Sequence, residues 1–286
     1  MQSRLKLAIL GVGMLVLGLN STKVEAKELG LFKVHCDASS FVYESPDINS
    51  RRLGDTKTGS TYTVYKWVQG TDGVSDYYCI KQNGKYMWVN TLTYDRTDTY
   101  TNGLIDANKV PTVGFVTLEG NIRKGAYEDM INYYCLLPYE IRELFQIEGH
   151  RIKMTEQYIE EEAYAGYAPW TGGYLNAVSD YEKKMVYIND ENGRYIVHEM
   201  GHYVNNKLGN FVNRPENRDL YYSEAAKVSI YSDNNREYFC EAFDQYYRCP
   251  DLLKQTSPAS YDLVDRAVAE FKVMATPILN EVLGRG

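Results

Sequence analysis

The N-terminal third of the chain alternates short apolar stretches with turn residues. β-branched and aromatic residues cluster in runs that are bounded by Gly, Pro, Asn or Ser. This pattern is typical of short antiparallel strands joined by tight turns. The predicted strands are residues 41–43, 61–67, 77–80 and 86–89. The pattern therefore predicts a small all-β domain over residues 27–95.

From about residue 112 onwards the pattern predicts a mixture of strands and helices. The predicted strands are residues 113–117, 151–154 and 182–188. The predicted helices are residues 126–135, 139–146 and 192–209, and a last helix from Tyr261 that Pro277 should kink or end. The polar stretch 96–111 is the expected linker. We therefore expect an α+β fold, with the all-β domain followed by a mixed domain over residues 112–286.

The first residues have the pattern of an export signal. Arg4 and Lys6 stand beside an apolar run over residues 5–19, and Ala26 offers a small residue at the expected cut. We expect residues 1–26 to be a signal peptide and the mature protein to be secreted, into the medium or to the cell wall. The run is shorter than the ~20 residues of a membrane-spanning helix, so no stable membrane span is expected.

Composition sets broad limits on what the protein binds. At 286 residues with 44% hydrophobic content, the chain can bury a core and has the length of two domains. Its formal net charge is −7, and it has no cluster of Lys or Arg. This charge balance is a poor match to nucleic acid or to an anionic lipid surface.

The five cysteines fit an exported protein, but their odd number leaves at least one unpaired. Cys36 and Cys79 bracket the all-β domain and could bridge it. Cys135 and Cys249 are a second possible pair. The alternative is that Cys135 and Cys240 are simply small buried hydrophobic residues.

The motif His-Glu-Met-Gly-His at residues 198–202 suggests metal chemistry. On an α-helix, four residues advance by about 400° and about 6 Å, so His198 and His202 share one face and can bind a single ion. Glu199 lies about 100° round from His198, where it can hydrogen-bond a water instead of binding the ion. The flanking residues are uncharged, as a buried helix requires. The pattern is typical of a zinc peptidase.

A tetrahedral zinc site needs a third protein ligand. Asn205 and Leu208 stand where a metzincin has Gly and His, so that class is excluded. Glu237 and Glu241 are better candidates, because their i, i+4 spacing allows Glu237 to bind zinc while Glu241 orients one of the histidines. The alternative is an amphipathic helix with two solvated glutamates.

Residues 198–202 and 237–243 together resemble the catalytic domain shared by anthrax lethal factor and the clostridial Pro-Pro endopeptidases, over roughly residues 112–286. The resemblance implies a zincin-type (gluzincin) metallopeptidase with one Zn²⁺ per chain. It also implies that Glu237 is the third zinc ligand and that Glu241 supports the site.

The same family places a tyrosine over the metal, seven residues before the ligand glutamate. Ile230 stands at that position here, and Tyr231 stands six residues before the glutamate. A one-residue deletion in the intervening loop would reconcile the two spacings. Tyr231 is therefore the expected oxyanion-stabilising tyrosine, with Tyr221 and Tyr222 as alternatives.

In the families that the chain resembles, the strand before the motif helix lies at the cleft and pairs with extended substrate. Here that strand is predicted at residues 182–188 and carries Tyr187. Trp170 lies in a glycine-rich loop, residues 168–174, that precedes it. Tyr187 and Trp170 are the expected substrate-binding residues; the alternative for Trp170 is a place in the core.

The N-terminal domain resembles bacterial SH3-like domains. The resemblance rests on Arg-Leu-Gly at residues 52–54, on Gly59, and on Gly84, Lys85, Trp88 and Val89. It implies a small barrel with a cell-wall or protein ligand. The alternative is an all-β spacer without a ligand.

The sequence thus predicts a secreted zinc endopeptidase that hydrolyses protein substrates with a zinc-activated water. Glu199 is the expected general base, and Tyr231 the expected partner of the oxyanion. Two other classes stay open. One is an inert peptidase-like domain within a secreted SH3-like binding protein, and the other is a zinc hydrolase of a non-protein substrate, such as an esterase or a cell-wall amidase.

Overall fold

The structure is a computed structural model that describes residues 30–36, 38–70, 76–91, 94–96, 104–106, 115–156, 159, 176–189 and 193–284. Three sequence-based predictions lie outside these residues: the signal peptide at 1–26, the loop with Trp170, and most of the linker at 96–111. The described residues form an all-β part followed by an α+β part.

The all-β part is a seven-stranded antiparallel sheet in the order β3-β2-β6-β5-β4-β1-β7, counted over the described residues. All the strands predicted in this part are confirmed, most of them with longer bounds. Three short strands were not predicted. The strands are β1 (Phe32–Cys36), β2 (Phe41–Tyr43), β3 (Arg52–Asp55), β4 (Thr61–Gln69), β5 (Asp76–Gln82), β6 (Lys85–Asn90) and β7 (Tyr94–Arg96).

Both faces of this sheet bury apolar side chains, since successive side chains of a strand point to opposite faces. One face buries a cluster that includes Val42, Val64 and Ile80. The other buries Tyr77 and Trp88, together with residues from the helical part of the chain. The sheet is therefore packed against the second part and is not an isolated module.

The cysteines are free in the structure. Cys36 belongs to the first cluster of the sheet and Cys79 to the second, so their side chains point to opposite faces. The suggested bridge between them does not form for this reason. Cys135 is exposed whereas Cys249 is buried, and Cys240 is buried as a small core residue.

The second part contains a four-stranded mixed sheet in the order β12-β13-β11-β9 and a two-stranded sheet of β8 and β10. Strand β8 lies within the predicted linker. The strands are β8 (Leu104–Asp106), β9 (Val116–Glu119), β10 (Asn121–Arg123), β11 (Arg151–Thr155), β12 (Ala177–Asp180) and β13 (Met185–Asn189).

The strand predicted at residues 182–188 is present as β13, but it does not lie at the sheet edge. It pairs with β11 on one side and with β12 on the other. A strand paired on both sides has no backbone groups left for a peptide substrate. The expectation that this strand receives substrate is therefore wrong, and over the described residues the strand at this edge of the sheet is β12.

The helices pack around the mixed sheet over one continuous apolar core. The predicted helices are confirmed, although the motif helix is shorter than expected and follows a 3₁₀ turn at Gly193–Tyr195. The helices are α1 (Lys124–Tyr134), α2 (Tyr139–Ile147), α3 (Ile196–Lys207), α4 (Leu220–Val228), α5 (Asn235–Arg248), α6 (Pro250–Thr256) and α7 (Pro258–Leu283).

Pro277 was expected to kink or end the last helix; helix α7 continues through it, so the proline does not end the helix. Proline removes the hydrogen bond to the carbonyl four residues earlier, which belongs to Val273. Val273 is 77% exposed, so water can solvate its carbonyl oxygen. None of the helices in the described part of the chain is both long and apolar enough to cross a bilayer.

The two parts of the chain meet at a buried surface that we call the junction. Lys66 Nζ donates to Thr256 Oγ1 at 2.9 Å. Arg248 Nη1 donates to the carbonyl oxygen of Tyr65 at 3.0 Å. Lys66 and Arg248 are each only 1% exposed. The junction consists of Tyr65 and Lys66 of β4 with Arg248, Cys249, Leu252 and Thr256 at the end of α5 and in α6.

Candidate metal centre

Helix α3 presents the histidine pair on a buried face. His198 is 8% and Glu199 4% exposed. The rings of His198 and His202 have centroids 5.0 Å apart, as the i, i+4 spacing requires. The structure therefore brings the two imidazoles together at one point.

Helix α5 brings the glutamates to the same point. Its N-cap is Asn234, whose Oδ1 accepts hydrogen bonds from the backbone N–H groups of Arg236 at 2.9 Å and of Glu237 at 3.2 Å. Such a cap satisfies backbone groups that the first helical turn leaves unpaired. The cap fixes where α5 begins and therefore where Glu237, in its first turn, is placed.

Gly201 allows α3 and α5 to approach each other closely. A Cβ atom at this position would lie 3.1 Å from Cys240 Cα and 3.2 Å from Phe243 Cβ. Both distances are tighter than ordinary van der Waals contact, so a side chain here would push the helices apart. The glycine inside the motif is thus needed for helix packing.

The donor atoms of the two helices converge. Glu237 Oε2 lies 3.1 Å from His198 Nε2, and Glu237 Oε1 lies 3.4 Å from His202 Nε2. Ligand atoms bound at about 2.0–2.1 Å to a tetrahedral zinc ion lie about 3.3 Å from one another. Both nitrogen–oxygen distances are close to this value, so the carboxylate and the two imidazoles have the chemistry to hold a metal ion.

Glu241 approaches the other nitrogen of the first histidine. Its Oε1 lies 3.0 Å from His198 Nδ1. Burial, the largest single influence, would raise the pKa of Glu241, but its close contact with His198, the charge of that ring and a hydrogen bond with Ser229 together lower it. Metal-binding histidines usually give their second ring N–H to such a carboxylate, which holds the ring in place. Glu241 is located to orient His198.

The two histidines and the two glutamates stabilise one another's charges. Burial alone would lower the pKa of His198, but hydrogen bonds to Glu237 and Glu241 raise it well above its usual value. Burial would raise the pKa of Glu237, yet hydrogen bonds from His198 and His202 lower it. Protons and a metal ion compete for the same imidazole nitrogens. Metal binding would therefore release protons from this group.

Cys240 is a further donor that the sequence motifs do not reveal. His198, His202 and Cys240 each offer one ligand atom within 4.8 Å of the others. Burial raises the pKa of the Cys240 thiol well above its usual value, which disfavours the thiolate that zinc binds. The Glu237 carboxylate, whose pKa is lowered, is the donor in this group that is already ionised and in contact with both histidines.

Glu199 has a partner that the sequence analysis missed. Ser179 Oγ donates a hydrogen bond to Glu199 Oε2 at 2.6 Å. Ser179 lies on the edge strand β12, opposite Val186 of β13. Val186 belongs to the core under the helices, so this face of the sheet points towards α3. Only the tertiary structure reveals the contact, because 20 residues separate its two partners.

Tyr231 approaches the group from the loop between α4 and α5. It is 45% exposed and lines a cavity that His198 and Glu241 also line. Burial raises the pKa of Tyr231 to about 12, so its hydroxyl keeps its proton at neutral pH. The two alternative tyrosines point elsewhere: Tyr221 Oη donates to the Asp233 carbonyl at 2.9 Å, and Tyr222 is 83% exposed.

Tyr181 is a second tyrosine close to the site, and it directly follows β12. Burial raises the pKa of its hydroxyl, and nearby groups that include Cys240, Glu199 and Glu237 raise it further. The hydroxyl therefore lies within electrostatic reach of the candidate base and the candidate ligand. The sequence motifs did not single out Tyr181.

The two predicted substrate-binding residues have different outcomes. Trp170 lies outside the described residues. Tyr187 lies on the inner strand β13 and is 7% exposed. Its neighbours Val186 and Ile188 face the helical core, so by alternation Tyr187 points to the other face of the sheet, away from α3. The structure does not bring Tyr187 to the candidate metal centre.

Comparison with known proteins gives limited similarity. No protein-family model matches the chain, and no curated protein matches it. Among solved structures, the chain is similar to the Pro-Pro endopeptidase PPEP-2 from Paenibacillus alvei, with a TM-score of 0.45 and 21% sequence identity. The match covers 53% of this chain and 96% of that chain. At this level the similarity does not establish what the candidate metal centre does.

Proposed function

We propose that the protein is a zinc-dependent endopeptidase of the gluzincin type, with His198, His202 and Glu237 as the zinc ligands. One observation carries the proposal: the Glu237 carboxylate lies between the Nε2 atoms of both histidines, at 3.1 Å and 3.4 Å. A glutamate 35 residues beyond the motif that reaches both rings is difficult to explain as a solvated surface residue. Bound there, zinc would supply a Lewis acid and an acidified water.

Glu199 is the proposed general base. Ser179 occupies its Oε2 at 2.6 Å, which leaves Oε1 to accept a proton from the attacking water. The same oxygen then returns the proton to the leaving nitrogen of the peptide. Because Glu199 is 4% exposed, few bulk water molecules compete for it. Ser179 thus restricts the carboxylate to one orientation.

A hydroxyl near the reacting carbonyl would stabilise the developing oxyanion, a contribution of about 3 kcal/mol for one well-placed donor. Tyr231 is the proposed donor, since it lines the cavity beside His198 and keeps its proton. Tyr181 is the second candidate.

A protein substrate is favoured by the place of β12. In the described part of the chain, β12 pairs with one strand, β13. An extended peptide could add to its outer edge, with the scissile bond close to Ser179 and Glu199. Export of the protein and an SH3-like ligand-binding role for the N-terminal sheet complete the proposal; both are supported by sequence patterns alone.

The test combines metal content with cleavage. The purified chain should bind one zinc per chain and cleave a proteome-derived peptide library, with new termini identified by mass spectrometry. Glu199→Gln should keep zinc and lose at least about a hundredfold in kcat. Glu216→Gln, at an exposed position, is the matched control and should behave as the wild type.

Three results would contradict the proposal. Full activity in Glu199→Gln would exclude the general base. Stoichiometric zinc in Glu237→Ala, with loss of zinc in Glu241→Ala, would exchange the roles of the two glutamates. Release of products from peptidoglycan but not from casein would make the protein a cell-wall hydrolase.

A further inference from the structure

Strand β4 is irregular at the junction. Its pairing with β5 shifts between Val64 and Lys66, so Tyr65 is the extra residue of a β-bulge. A bulge interrupts the ladder and redirects the side chains that follow it. Val64 faces one buried cluster of the sheet, whereas Val68 faces the other, although they are an even number of residues apart. The bulge therefore switches which side chains of β4 face the helical part.

The bulge is bonded to α5. Arg248 Nη1 donates to the carbonyl oxygen of Tyr65 at 3.0 Å. Arg248 Nη2 also lies 2.7 Å from Asp244 Oδ2. A buried guanidinium is held in place by such partners, because a buried charge without a partner is strongly unfavourable. Helix α5 also carries Glu237 and Glu241, so the sheet is attached to the helix that supplies two groups of the candidate metal centre.

Trp67 lies just beyond the bulge, packs against the same cluster as Val64, and contacts Tyr231 with its ring. Their ring centroids are 5.8 Å apart, and the ring planes meet at 88°. Such edge-to-face pairs are favourable beyond the area that they bury. Trp67 and Leu31 of the N-terminal part also line the cavity that contains Tyr231, His198 and Glu241. The sheet thus forms one wall of the cavity beside the first histidine.

We propose that the N-terminal sheet is a fixed part of the candidate catalytic site, in which Trp67 holds the side chain of Tyr231 beside His198. On the proposed function, this makes Trp67 a positioning residue that acts through Tyr231 and does not itself touch the substrate. The sheet then has a role in catalysis, whereas its sequence predicts a ligand-binding domain or a spacer.

The test uses three substitutions in the full chain. Trp67→Ala should lower kcat by about tenfold to a hundredfold, as misplacement of a catalytic group does. KM should stay within about twofold and zinc content should not change, since the lost contact acts in the transition state. Trp67→Phe keeps an aromatic ring and should retain most of the activity. Phe41→Ala, which removes a 49% exposed aromatic residue from the same sheet, should match the wild type.

A second measurement tests whether Trp67 acts through Tyr231. In a Tyr231→Phe background, which lacks the hydroxyl, adding Trp67→Ala should change kcat no further. A folded, zinc-loaded Trp67→Ala variant with wild-type kcat would overturn the inference. Loss of zinc together with activity would also overturn it, because the sheet would then support the fold of the metal centre and not Tyr231.

The contact between Trp67 and Tyr231 can also be tested if the protein is not a peptidase. If the wild type cleaves no peptide, the contact is tested by urea unfolding of Trp67→Ala, Tyr231→Ala and the double variant. A coupling of about twofold to tenfold in the unfolding equilibrium constant would support the positioning of Tyr231 by Trp67. Additive effects of the two substitutions would overturn it.

Discussion

Lys66 provides a quantitative test of the junction. The side chain is 1% exposed, and its Nζ donates to Thr256 Oγ1 at 2.9 Å. Burial lowers the pKa of Lys66 from 10.5 to about 8, against smaller opposing effects of Cys249 and Cys79. Replacing Lys66 with Met keeps the length of the side chain and removes the buried charge. Thr256 Oγ1 still donates to the Leu252 carbonyl, so no hydroxyl is left without a partner.

The magnitude follows from the pKa of the folded protein. Each tenfold change in proton affinity corresponds to about 1.4 kcal/mol. A fall in the pKa of Lys66 from 10.5 to about 8 therefore costs the folded state about 3 kcal/mol at neutral pH, where the amine is charged in both states. Lys66→Met removes this cost, but the loss of the hydrogen bond to Thr256 offsets about 1 kcal/mol of the gain. Lys66→Met should raise the free energy of unfolding by about 2 kcal/mol at neutral pH.

The stability difference between Lys66→Met and the wild type should depend on pH, and the pKa of Lys66 sets the direction. Between pH values near 8 and 10.5, the unfolded chain holds the proton of Lys66 while the folded chain has lost it. The free energy of unfolding of the wild type therefore rises with pH over this window, because the unfolded state binds more protons than the folded state. The Met variant lacks this rise. Its advantage over the wild type should therefore shrink by about 2 kcal/mol from about pH 7 to about pH 9.5.

Urea unfolding followed by circular dichroism measures both effects. Lys33→Met, at an exposed position on β1 of the same sheet, is the matched control and should show neither the gain nor its pH dependence. A Lys66→Met variant that is less stable than the wild type near pH 7 would refute the reasoning. A gain that does not change with pH would also refute it, because the gain would then come from packing and not from removal of a buried charge.

The remaining predictions concern the candidate site. Ser179→Ala should lower kcat about tenfold at unchanged KM and zinc content, since the hydrogen bond from Ser179 fixes the general base. Ser179→Thr keeps the hydroxyl and is the control. Equal kcat values in the two variants would contradict this role of Ser179. Gly201→Ala should lower the free energy of unfolding by about 1–3 kcal/mol and weaken zinc binding in a titration, because its Cβ would lie 3.1 Å from the Cα of the facing helix; unchanged zinc affinity would show that the helices can adjust. The cobalt(II)-substituted protein should show the same absorption spectrum in the wild type and in Cys240→Ser, whereas a sulfur-to-cobalt band that disappears in the variant would make Cys240 a ligand. Tyr231→Phe should lower kcat about tenfold to a thousandfold and Tyr181→Phe much less; the reverse order in peptide hydrolysis would transfer the oxyanion role to Tyr181.

Local sequence patterns were sufficient for most elements of secondary structure. The strands at residues 41–43 and 151–155 and the helix at residues 139–147 were predicted almost to the residue. Side-chain periodicity, turn residues and helix spacing act over a few positions, and a sequence displays them directly. The i, i+4 spacing likewise placed His198 and His202 on one face before any fold was known.

Long-range pairing was not accessible in the same way. The strand at residues 185–189 was recognised, but its place between β11 and β12 depends on partners that lie elsewhere in the chain. Edge and inner strands can have similar composition, so the sequence assigned the wrong strand to the substrate. That the last helix does not end at Pro277 has a related reason, because a proline inside a helix is tolerated where the preceding turn is exposed to water.

The sequence by itself determined the residue types of the candidate site and most of its local elements. Tertiary structure alone placed the Glu237 carboxylate between the two imidazoles, brought Ser179 to Glu199, and packed Trp67 of the N-terminal sheet against Tyr231. The physical reason is the range of each effect. Helix and strand preferences arise between neighbours in the chain, whereas these contacts join residues that become neighbours only when the core is closed.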